Sequence, residues 1–363
     1  MTSCNKPLVW WGHWYPEGHN NCRYEALLPR LTSVHAIYQR RGQARWRQAI
    51  RGRLDNWLFS RFLYPGIVRR LASRYPALFC TDIRYIPYFH GPIIVDDDDP
   101  VFTPERIALL NRPNVLAVVT TTEQLREQFL SLGLAKPCHV IPSGVHLSLR
   151  NDGRKKELEK KLEKQESDIV VGFSVPYLYT DEDLKAGSPE AALRSIGFLS
   201  SVMEKVWEQA PLIKLWLMGV PSRTVQAYAR KHPQVRLLGY VTHTEVLNYF
   251  ANFDIAVYPR LVDLSGRHSI KLVEFMAAGV PIVSTSVTEA FHVRASQSGI
   301  IATDRESFVQ AILELAAHRD LRQAYSEKGK LYAESYSWEN LARQYESQVL
   351  RHHLTQIHSR ESQ

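Results

Sequence analysis

The stretch "HSIKLVEFMAAGVPIVST", residues 268–285, indicates the fold of this chain. It predicts a helix with Lys271 and Glu274 on one face, because residues three apart in a helix are neighbours. Gly279 is the residue type that ends helices in the left-handed conformation. The β-branched run Pro281–Thr285 predicts a short buried strand. A helix that leads directly into a buried strand is typical of α/β proteins.

Strand-like and helix-like segments alternate on both sides of this stretch. This alternation predicts parallel, doubly wound sheets. Residues 151–168 are rich in Lys and Glu, so they predict a solvated helix or linker at the boundary between a domain at 1–150 and a domain at 169–335. The predicted strands are Leu8–Trp11, Val34–Tyr38, Ala77–Cys80, Pro92–Val95, Val115–Val119, Cys138–Ile141, Ile169–Ser174, Lys214–Met218, Val235–Leu238, Ile255–Tyr258 and Pro281–Thr285.

The composition is that of a globular protein with a basic first part. The chain has 363 residues and a formal net charge of +8. Residues 1–150 hold 19 Lys+Arg and 11 Asp+Glu, while residues 151–363 hold 26 of each, so the whole excess lies in the first part. This asymmetry indicates an anionic partner for that part. The four cysteines form no CxxC, no apolar run is long enough to span a membrane and no signal peptide is evident, which together favour the cytoplasm.

The opening stretch and three further segments occur in a fixed order over most of residues 110–345. They are "CHVIPSGVHLS" (Cys138–Ser148), "VRLLGYVTHTEVLNYFANFDIAVYPR" (Val235–Arg260), the opening stretch, and "YSWENLA" (Tyr336–Ala342). They resemble, respectively, four features of the retaining glycosyltransferases of group 1 (family 4). The first feature is the segment that closes the first domain. The second is a run that consists of a strand, Gly-x-Val, a helix, Asp, a strand and Pro. The third is the nucleotide-sugar helix, and the fourth is the Ser/Thr-Trp segment before the closing helix.

The resemblance implies the GT-B fold, in which two Rossmann-like, doubly wound domains face each other across a cleft. The first domain would bind the acceptor and be completed by a C-terminal helix at about 340–363, and the second would bind a nucleotide-diphosphate sugar. The helix start would hold the diphosphate, since its N–H groups are unpaired and carry partial positive charge. Lys271 would add a charge near the leaving phosphate, and Glu274 would accept the ribose hydroxyls. The further donor-binding candidates are Ser269, Arg267, His268, Gly266, Arg260 and Gly172.

Two positions depart from the family pattern. The family usually has a Glu eight residues before Glu274, in contact with the transferred sugar, and this chain has Gly266 there. The family often places an Arg and a Lys in the segment that corresponds to Gly172–Gly187, and here only Lys185 is available. Arg260, Arg267 and Lys271 would therefore stabilise the charge that develops on the leaving diphosphate.

The acidic run Asp96–Asp99 follows the strand Pro92–Val95, in "IIVDDDDPVF", which is similar to an Asp-x-Asp-Asp-x-x-Phe pattern of some family members. Three interpretations remain open. The run could bind a metal, it could orient or deprotonate the acceptor hydroxyl through Asp98 or Asp99, or it could cap the helix that starts near Pro104. Repulsion within the run would raise the pKa of its carboxyl groups, which suits a base.

The loop after the first strand holds the other acceptor-side candidates. "PEGHNNCRYEALL" (Pro16–Leu28) is similar to the family's loop after strand one, with Arg23 leading the helix. The aromatic and imidazole side chains of the loop Gly12–Asn21 suit contact with a sugar, or a purely structural role. His13 in this loop is a catalytic candidate. The acceptor-binding candidates are Trp14, His19 and Arg23 in this region, and Thr121 after the strand Val115–Val119.

The Arg-rich stretch 39–75 has apolar residues at helical spacing from Trp46 to Leu58. It is typical of a helix on an anionic membrane surface, or of an ordinary amphipathic helix that packs into its domain. Nucleic acid is not expected, because no binding module accompanies the charge. The chain would then be cytoplasmic, or peripheral on the inner face of the membrane.

The sequence thus predicts a glycosyltransferase that moves a sugar from a nucleotide sugar to a glycan, a lipid-linked molecule or a small molecule. The resemblance implies retention of anomeric configuration and needs no metal or other cofactor. The alternative is a scaffold of the same fold that binds nucleotide sugar or a membrane surface and has impaired catalysis, as Gly266 would allow.

Overall fold

The computed structural model describes residues 8–14, 22–40, 64–184, 194–263, 266–353 and 355. These residues divide into two compact units. Unit 1 contains the described residues up to Ser143 and those from Trp338 onwards, and unit 2 runs from Gly144 to Ser337. The boundary therefore precedes the predicted one at 150. Residues 151–168, predicted as a solvated helix or linker, lie in unit 2, where Asp152–Lys161 forms a helix and does not link the two units.

The sheet of unit 1 has six parallel strands over the described residues, in the order β2-β1-β3-β4-β5-β6. Its strands are β1 (Leu8–Trp14), β2 (Val34–Arg40), β3 (Leu78–Cys80), β4 (Ile93–Asp96), β5 (Val115–Thr120) and β6 (Cys138–Val140). The helices of this part are α1 (Cys22–Leu27), α2 (Tyr64–Ala72), α3 (Pro104–Leu110) and α4 (Glu123–Ser131).

The sheet of unit 2 is also parallel and six-stranded over the described residues, in the order β12-β11-β10-β7-β8-β9. Its strands are β7 (Val170–Leu178), β8 (Lys214–Pro221), β9 (Val235–Gly239), β10 (Ile255–Tyr258), β11 (Ile282–Thr285) and β12 (Gly299–Ala302). Its helices are α5 (Asp152–Lys161), α6 (Gly197–Gln209), α7 (Arg223–Lys231), α8 (Val246–Phe250), α9 (Ile270–Ala278), α10 (Phe291–Ser296), α11 (Arg305–Ala317) and α12 (Arg319–Ser335). The chain then returns to unit 1 with α13 (Trp338–Gln344), which continues as a π-helix over Tyr345–Leu350.

Both sheets have apolar side chains on both faces, which is why their strands read as continuous hydrophobic runs. In β4, Ile94 packs on the face that also holds Trp338, and the next residue, Val95, packs on the face that holds Phe129. The return of α13 to unit 1 thus helps to cover the face of the sheet on which α1 also packs.

The predicted helix Ile270–Ala278 is confirmed as α9. Gly279 closes it with φ of +78°, the left-handed conformation that glycine adopts without strain. The strand order of unit 2 reverses between β7 and β10. Parallel sheets of this kind bind ligands at the carboxyl ends of the strands that flank such a reversal. Helix α9 follows β10, so its first residues are held at this edge of the sheet.

Candidate functional site

The start of α9 is the first component of the candidate site. Ser269 is its N-cap residue, with φ of −95° and ψ of 96°, and its side chain makes no capping hydrogen bond within the helix. A helix start without a side-chain cap keeps N–H groups available for another acceptor. The helix has nine residues, and its remaining side chains from Leu272 onwards are buried. The sheet therefore fixes the direction in which these N–H groups point.

Lys271 is a partly buried cation in the first turn of α9. Its Nζ lies 3.4 Å from Oγ of Ser174, on β7, and 5.8 Å from the centre of the Phe250 ring. Burial lowers the pKa of Lys271, nearby Glu274 counteracts this by raising it, and Arg260 lowers it. The contact with Ser174 places the ammonium beside the middle of β7, two residues beyond Gly172, the last residue of β7 that pairs with β10.

Glu274 lies one turn further along α9 and is 5% exposed. Its Oε1 lies 3.6 Å from Nδ1 of His243, in the segment between β9 and α8. The ring of His243 meets that of His146 at a centroid distance of 5.9 Å. A buried carboxylate with only one such contact among the described residues keeps acceptor capacity for hydroxyl groups of a ligand.

Arg260 supplies a second cation beside β10. Its guanidinium lies over the ring of Tyr258, 5.1 Å from the ring centre. One of its nitrogens, Nη1, is buried and has no hydrogen-bond partner among the described residues. A buried donor without a partner is costly, so this N–H favours an anion that enters the site.

Three candidate residues precede the N-cap of α9. Gly266 is buried and has φ of +80°, and its N–H donates to Oγ1 of Thr288 at 3.3 Å. Arg267 is exposed. His268 is partly buried, and its Nδ1 lies 2.9 Å from Nε2 of His292. The three residues therefore differ in environment, although they are consecutive.

Gly172 does not have the donor-binding position predicted for it. It lies within β7, opposite Ala256 of β10. A Cβ atom at this position would lie 2.0 Å from the Phe253 ring. The glycine thus makes room for a core aromatic ring, and the residue of β7 that contributes to the site is Ser174 instead.

The acidic run of unit 1 is held by a buried ion pair. Arg23 is 3% exposed, and its Nε and Nη2 donate to both oxygens of Asp96, at 3.1 and 2.9 Å. Its Nη1 donates to the carbonyl of Pro142 at 2.8 Å. The predicted role of Arg23 in acceptor binding is therefore wrong, because its three donor nitrogens are engaged inside the protein. It anchors α1 to β4 instead.

Two tyrosine hydroxyls complete the contacts of Asp96. Tyr345 donates to Oδ2 of Asp96 at 2.8 Å. The Tyr24 hydroxyl lies 3.1 Å from Oδ1 of Asp96 and 3.2 Å from Oδ1 of Asp98, so it bridges the two carboxyl groups. Burial raises the pKa of Asp98, and nearby Asp96 raises it further. Asp98 thus has the environment expected of a group that exchanges a proton or a hydrogen bond with a ligand.

The other two aspartates of the run, Asp97 and Asp99, and the neighbouring Thr121 differ from Asp96 and Asp98 in their surroundings. Asp97 is buried and paired with Arg106 of α3 through two hydrogen bonds, and Asp99 is exposed. The hydroxyl of Thr121 is buried and donates to the carbonyl of Asp98 at 3.4 Å. Thr121 therefore contributes to the conformation of the acidic run, and its role as an acceptor ligand stays a prediction.

For some predicted site residues the structure describes the backbone but not the side chain, and others lie outside the described residues. His13 and Trp14 belong to β1, opposite Gln39 and Arg40 of β2, and the structure describes their backbone. His19, Lys185 and the predicted surface helix from Trp46 to Leu58 lie outside the described residues.

Sequence reasoning missed the side chains that support the site. His243 was missed, although its position just after the carboxyl end of β9 could have indicated it. Tyr24 was missed, although it directly follows Arg23. His292 and Tyr345 carry no local signal, because their partners are far away along the chain.

Within the described ranges, no group of three or more His, Cys, Asp or Glu side chains is arranged to hold a metal ion. A search of the same residues found no helix that is long and apolar enough to cross a membrane.

Residues 187–318, just over a third of the chain, match the family model described as glycosyl transferases group 1. This segment contains α9 with Lys271 and Glu274. A comparison with curated proteins gives no match.

Similar solved structures extend over nearly the whole chain. Anabaena HepE in complex with UDP and glucose is 14% identical and has a TM-score of 0.66, with 95% of this chain and 100% of that chain covered. Sucrose-phosphate synthase from Thermosynechococcus elongatus is 15% identical, with a TM-score of 0.68 and coverage of 96% and 99%. A glycosyltransferase from Rickettsia africae is 10% identical, with a TM-score of 0.70 and coverage of 97% and 98%. At these identities the likeness concerns the fold, and it confirms the predicted α/β fold of the GT-B type.

Proposed function

We propose that this protein is a glycosyltransferase that uses a nucleotide-diphosphate sugar as donor. The observation that carries the proposal is the arrangement at the start of α9, where uncapped N–H groups lie next to Lys271, whose charged neighbours are Glu274 and Arg260. Nη1 of Arg260 is buried and has no hydrogen-bond partner among the described residues. The match of residues 187–318 to a glycosyltransferase family model supports it, as does the likeness to a protein solved with UDP and glucose.

In this proposal the donor is bound by unit 2. The diphosphate accepts hydrogen bonds from the start of α9 and is balanced by Lys271 and Arg260, with Ser269, Arg267 and His268 beside it. Glu274 accepts both ribose hydroxyls. These groups stabilise the charge that appears on the diphosphate as the bond to the sugar breaks, and this stabilisation is the main contribution of the protein to the rate.

The acceptor is bound by unit 1, and Asp98 orients it by accepting a hydrogen bond from a hydroxyl other than the one that reacts. Asp99, His13, Trp14 and His19 are further acceptor-side candidates. The transfer retains the anomeric configuration, and the leaving diphosphate takes the proton of the acceptor hydroxyl on the same face of the sugar. Positioning and charge stabilisation suffice for such a step, so we propose that no metal is required.

A second candidate function is a nucleotide-sugar-binding protein with impaired catalysis. It is favoured by one observation, that Gly266 stands where the family usually has a Glu. With φ of +80°, this position is one that a side chain would occupy only with strain. In this alternative the donor site still binds nucleotide, and the sugar is not transferred.

The test is a calorimetric titration of the protein with UDP, GDP and ADP, followed by an assay for hydrolysis of the corresponding nucleotide sugar. We expect one nucleotide to bind and its sugar conjugate to be hydrolysed slowly in the absence of acceptor. Binding without any hydrolysis or transfer would favour the impaired protein. Absence of binding by all three nucleotides would contradict both functions.

A further inference from the structure

A fully buried histidine lies behind the residues proposed to meet the donor. His292, on α10, is 0% exposed and has hydrogen-bond partners at both ring nitrogens. Its Nε2 lies 2.9 Å from Nδ1 of His268, and its Nδ1 lies 3.1 Å from the hydroxyl of Tyr332. The Tyr332 hydroxyl in turn lies 2.9 Å from that of Tyr336. These four side chains form a continuous hydrogen-bonded chain through unit 2.

This chain restrains the imidazole of His268 from two sides. The ring of His268 is stacked on that of Tyr336, with a centroid distance of 6.0 Å and an interplanar angle of 10°. It meets the ring of His292 edge to face, at 4.8 Å and 70°. The stack restricts the plane of the His268 ring, and the hydrogen bond between Nδ1 of His268 and Nε2 of His292 fixes the rotation within that plane.

His292 can provide this restraint without adding a charge. Burial lowers the pKa of His292 well below the ordinary value, and nearby His268 lowers it further. The neutral imidazole has one donor and one acceptor nitrogen, and each is used by one of its two partners. A buried neutral histidine with both nitrogens engaged is thus a rigid support rather than a site of its own.

We propose that His292 is a positioning residue that fixes the imidazole of His268 at the leading end of α9, where it meets the diphosphate of the donor. The inference rests on the proposed function, because it assigns His292 a role in donor binding. His268 directly precedes Ser269, the N-cap residue of α9. An imidazole that is already oriented loses less conformational entropy when the diphosphate binds, so the support raises donor affinity.

The test separates the two hydrogen bonds of His292. Measured from the backbone, the side-chain amide of glutamine reaches about as far as Nε2 of a histidine. The side-chain amide of asparagine reaches only about as far as Nδ1. His292→Gln therefore keeps the contact with His268 and loses that with Tyr332, while His292→Asn does the reverse. Tyr332→Phe is the matched control, since it removes the same contact as His292→Gln and leaves the histidine in place.

We expect His292→Asn to bind the nucleotide selected from UDP, GDP and ADP about tenfold more weakly, with calorimetry as the measurement. His292→Gln and Tyr332→Phe should stay within about twofold of the original protein. Thermal melts should show a comparable loss of stability in the two His292 variants. Equal affinities of these two variants, or a greater loss for His292→Gln, would overturn the inference, because a purely structural residue does not distinguish its two contacts in this way.

Nitrogen NMR of the His268 ring gives a readout that needs no nucleotide. The signal of its Nδ1 should change in His292→Asn and remain nearly unchanged in His292→Gln. If the original protein binds none of the three nucleotides, the proposed function fails, and the inferred role in donor binding fails with it. If the nucleotide binds and the NMR signals behave as expected while the affinities do not differ, only the inference fails.

Discussion

Replacing Glu274 by glutamine should weaken nucleotide binding. The whole loss of affinity should come from weaker hydrogen bonds to the ribose hydroxyls. The carboxylate is 5% exposed and its contact with His243 spans 3.6 Å, so it is available to accept two hydroxyl groups. A hydrogen bond to a charged group contributes about 1.5–3 kcal/mol. Glutamine keeps one acceptor oxygen and loses the charge, so we expect a loss of about 2–3 kcal/mol, or roughly 30- to 150-fold in Kd.

The assay is a double-mutant cycle in calorimetry. The original protein and Glu274→Gln are each titrated with the nucleoside diphosphate and with its 2′,3′-dideoxy analogue. The analogue should bind the original protein weakly, because it lacks the two ribose hydroxyls that the carboxylate accepts. For the same reason, its affinity should fall little further when Glu274 is replaced. Glu245→Gln is the control, because Glu245 is paired with Arg154 at 3.0 Å. Unchanged affinity in Glu274→Gln, or two losses that simply add, would refute this role of the carboxylate.

The remaining predictions concern the acidic run, the two corrected residues and the metal. Activity should fall as the pH drops through the raised pKa of Asp98, because the ionised form accepts the hydrogen bond of the acceptor. The fall should thus occur at a pH above 3.8, which is the pKa of an ordinary Asp. In Asp98→Asn the pH profile of kcat/KM should lack this fall on the acid side. Arg23→Met leaves the buried charge of Asp96 without its ion pair, so chemical denaturation should show a loss of about 3–5 kcal/mol in the free energy of unfolding. Gly172→Ala pushes a methyl group into the Phe253 ring, so it should lose about 1–3 kcal/mol of stability while the folded protein binds nucleotide within about twofold of normal. Transfer activity should survive EDTA in a coupled assay.

Each of these has a control or a contrary outcome. For the pH profile, Tyr345→Phe removes a hydroxyl from Asp96 without touching Asp98, so it should leave the fall on the acid side in place. For stability, Arg84→Met breaks an exposed pair and should cost less than about 1 kcal/mol, and an equally small loss in Arg23→Met would contradict the anchoring role. A large loss of nucleotide affinity in Gly172→Ala would restore its predicted donor contact. Complete loss of activity in EDTA, reversed by Mg²⁺ or Mn²⁺, would favour the metal interpretation of the acidic run.

The strands and the helix α9 could be predicted because their signals are local. A buried parallel strand is a continuous apolar run, and Gly279 marks a helix end through its own conformation. The segment after Thr285 was predicted less well, since β12 and the helices α10 to α12 were missing from the sequence interpretation. The helix within residues 151–168 was among the predictions, but its role as a linker is wrong, because a helix rich in charge looks the same whether it connects two units or packs on one.

The corrected residues share one cause, since their roles depend on partners far away in the sequence. Arg23 looked like a free cation at the start of a helix, whereas its partner is Asp96 on a strand of the same sheet. Gly172 looked like a donor-loop glycine, whereas the ring that it accommodates, Phe253, lies on another segment of unit 2. Residue type and spacing identify which groups could carry chemistry, but only the tertiary structure decides which of them are already engaged.

The central claim is that the leading end of α9 binds the diphosphate of the donor, and amide NMR of the isotope-labelled protein tests it most directly. The nucleoside diphosphate selected by titration and the corresponding nucleoside are added in turn. We predict that the diphosphate shifts the amide signals of Ser269, Ile270 and Lys271 and that the nucleoside leaves them nearly unchanged. A diphosphate that binds with equal affinity but shifts amides elsewhere, with those three signals unmoved, would contradict the account.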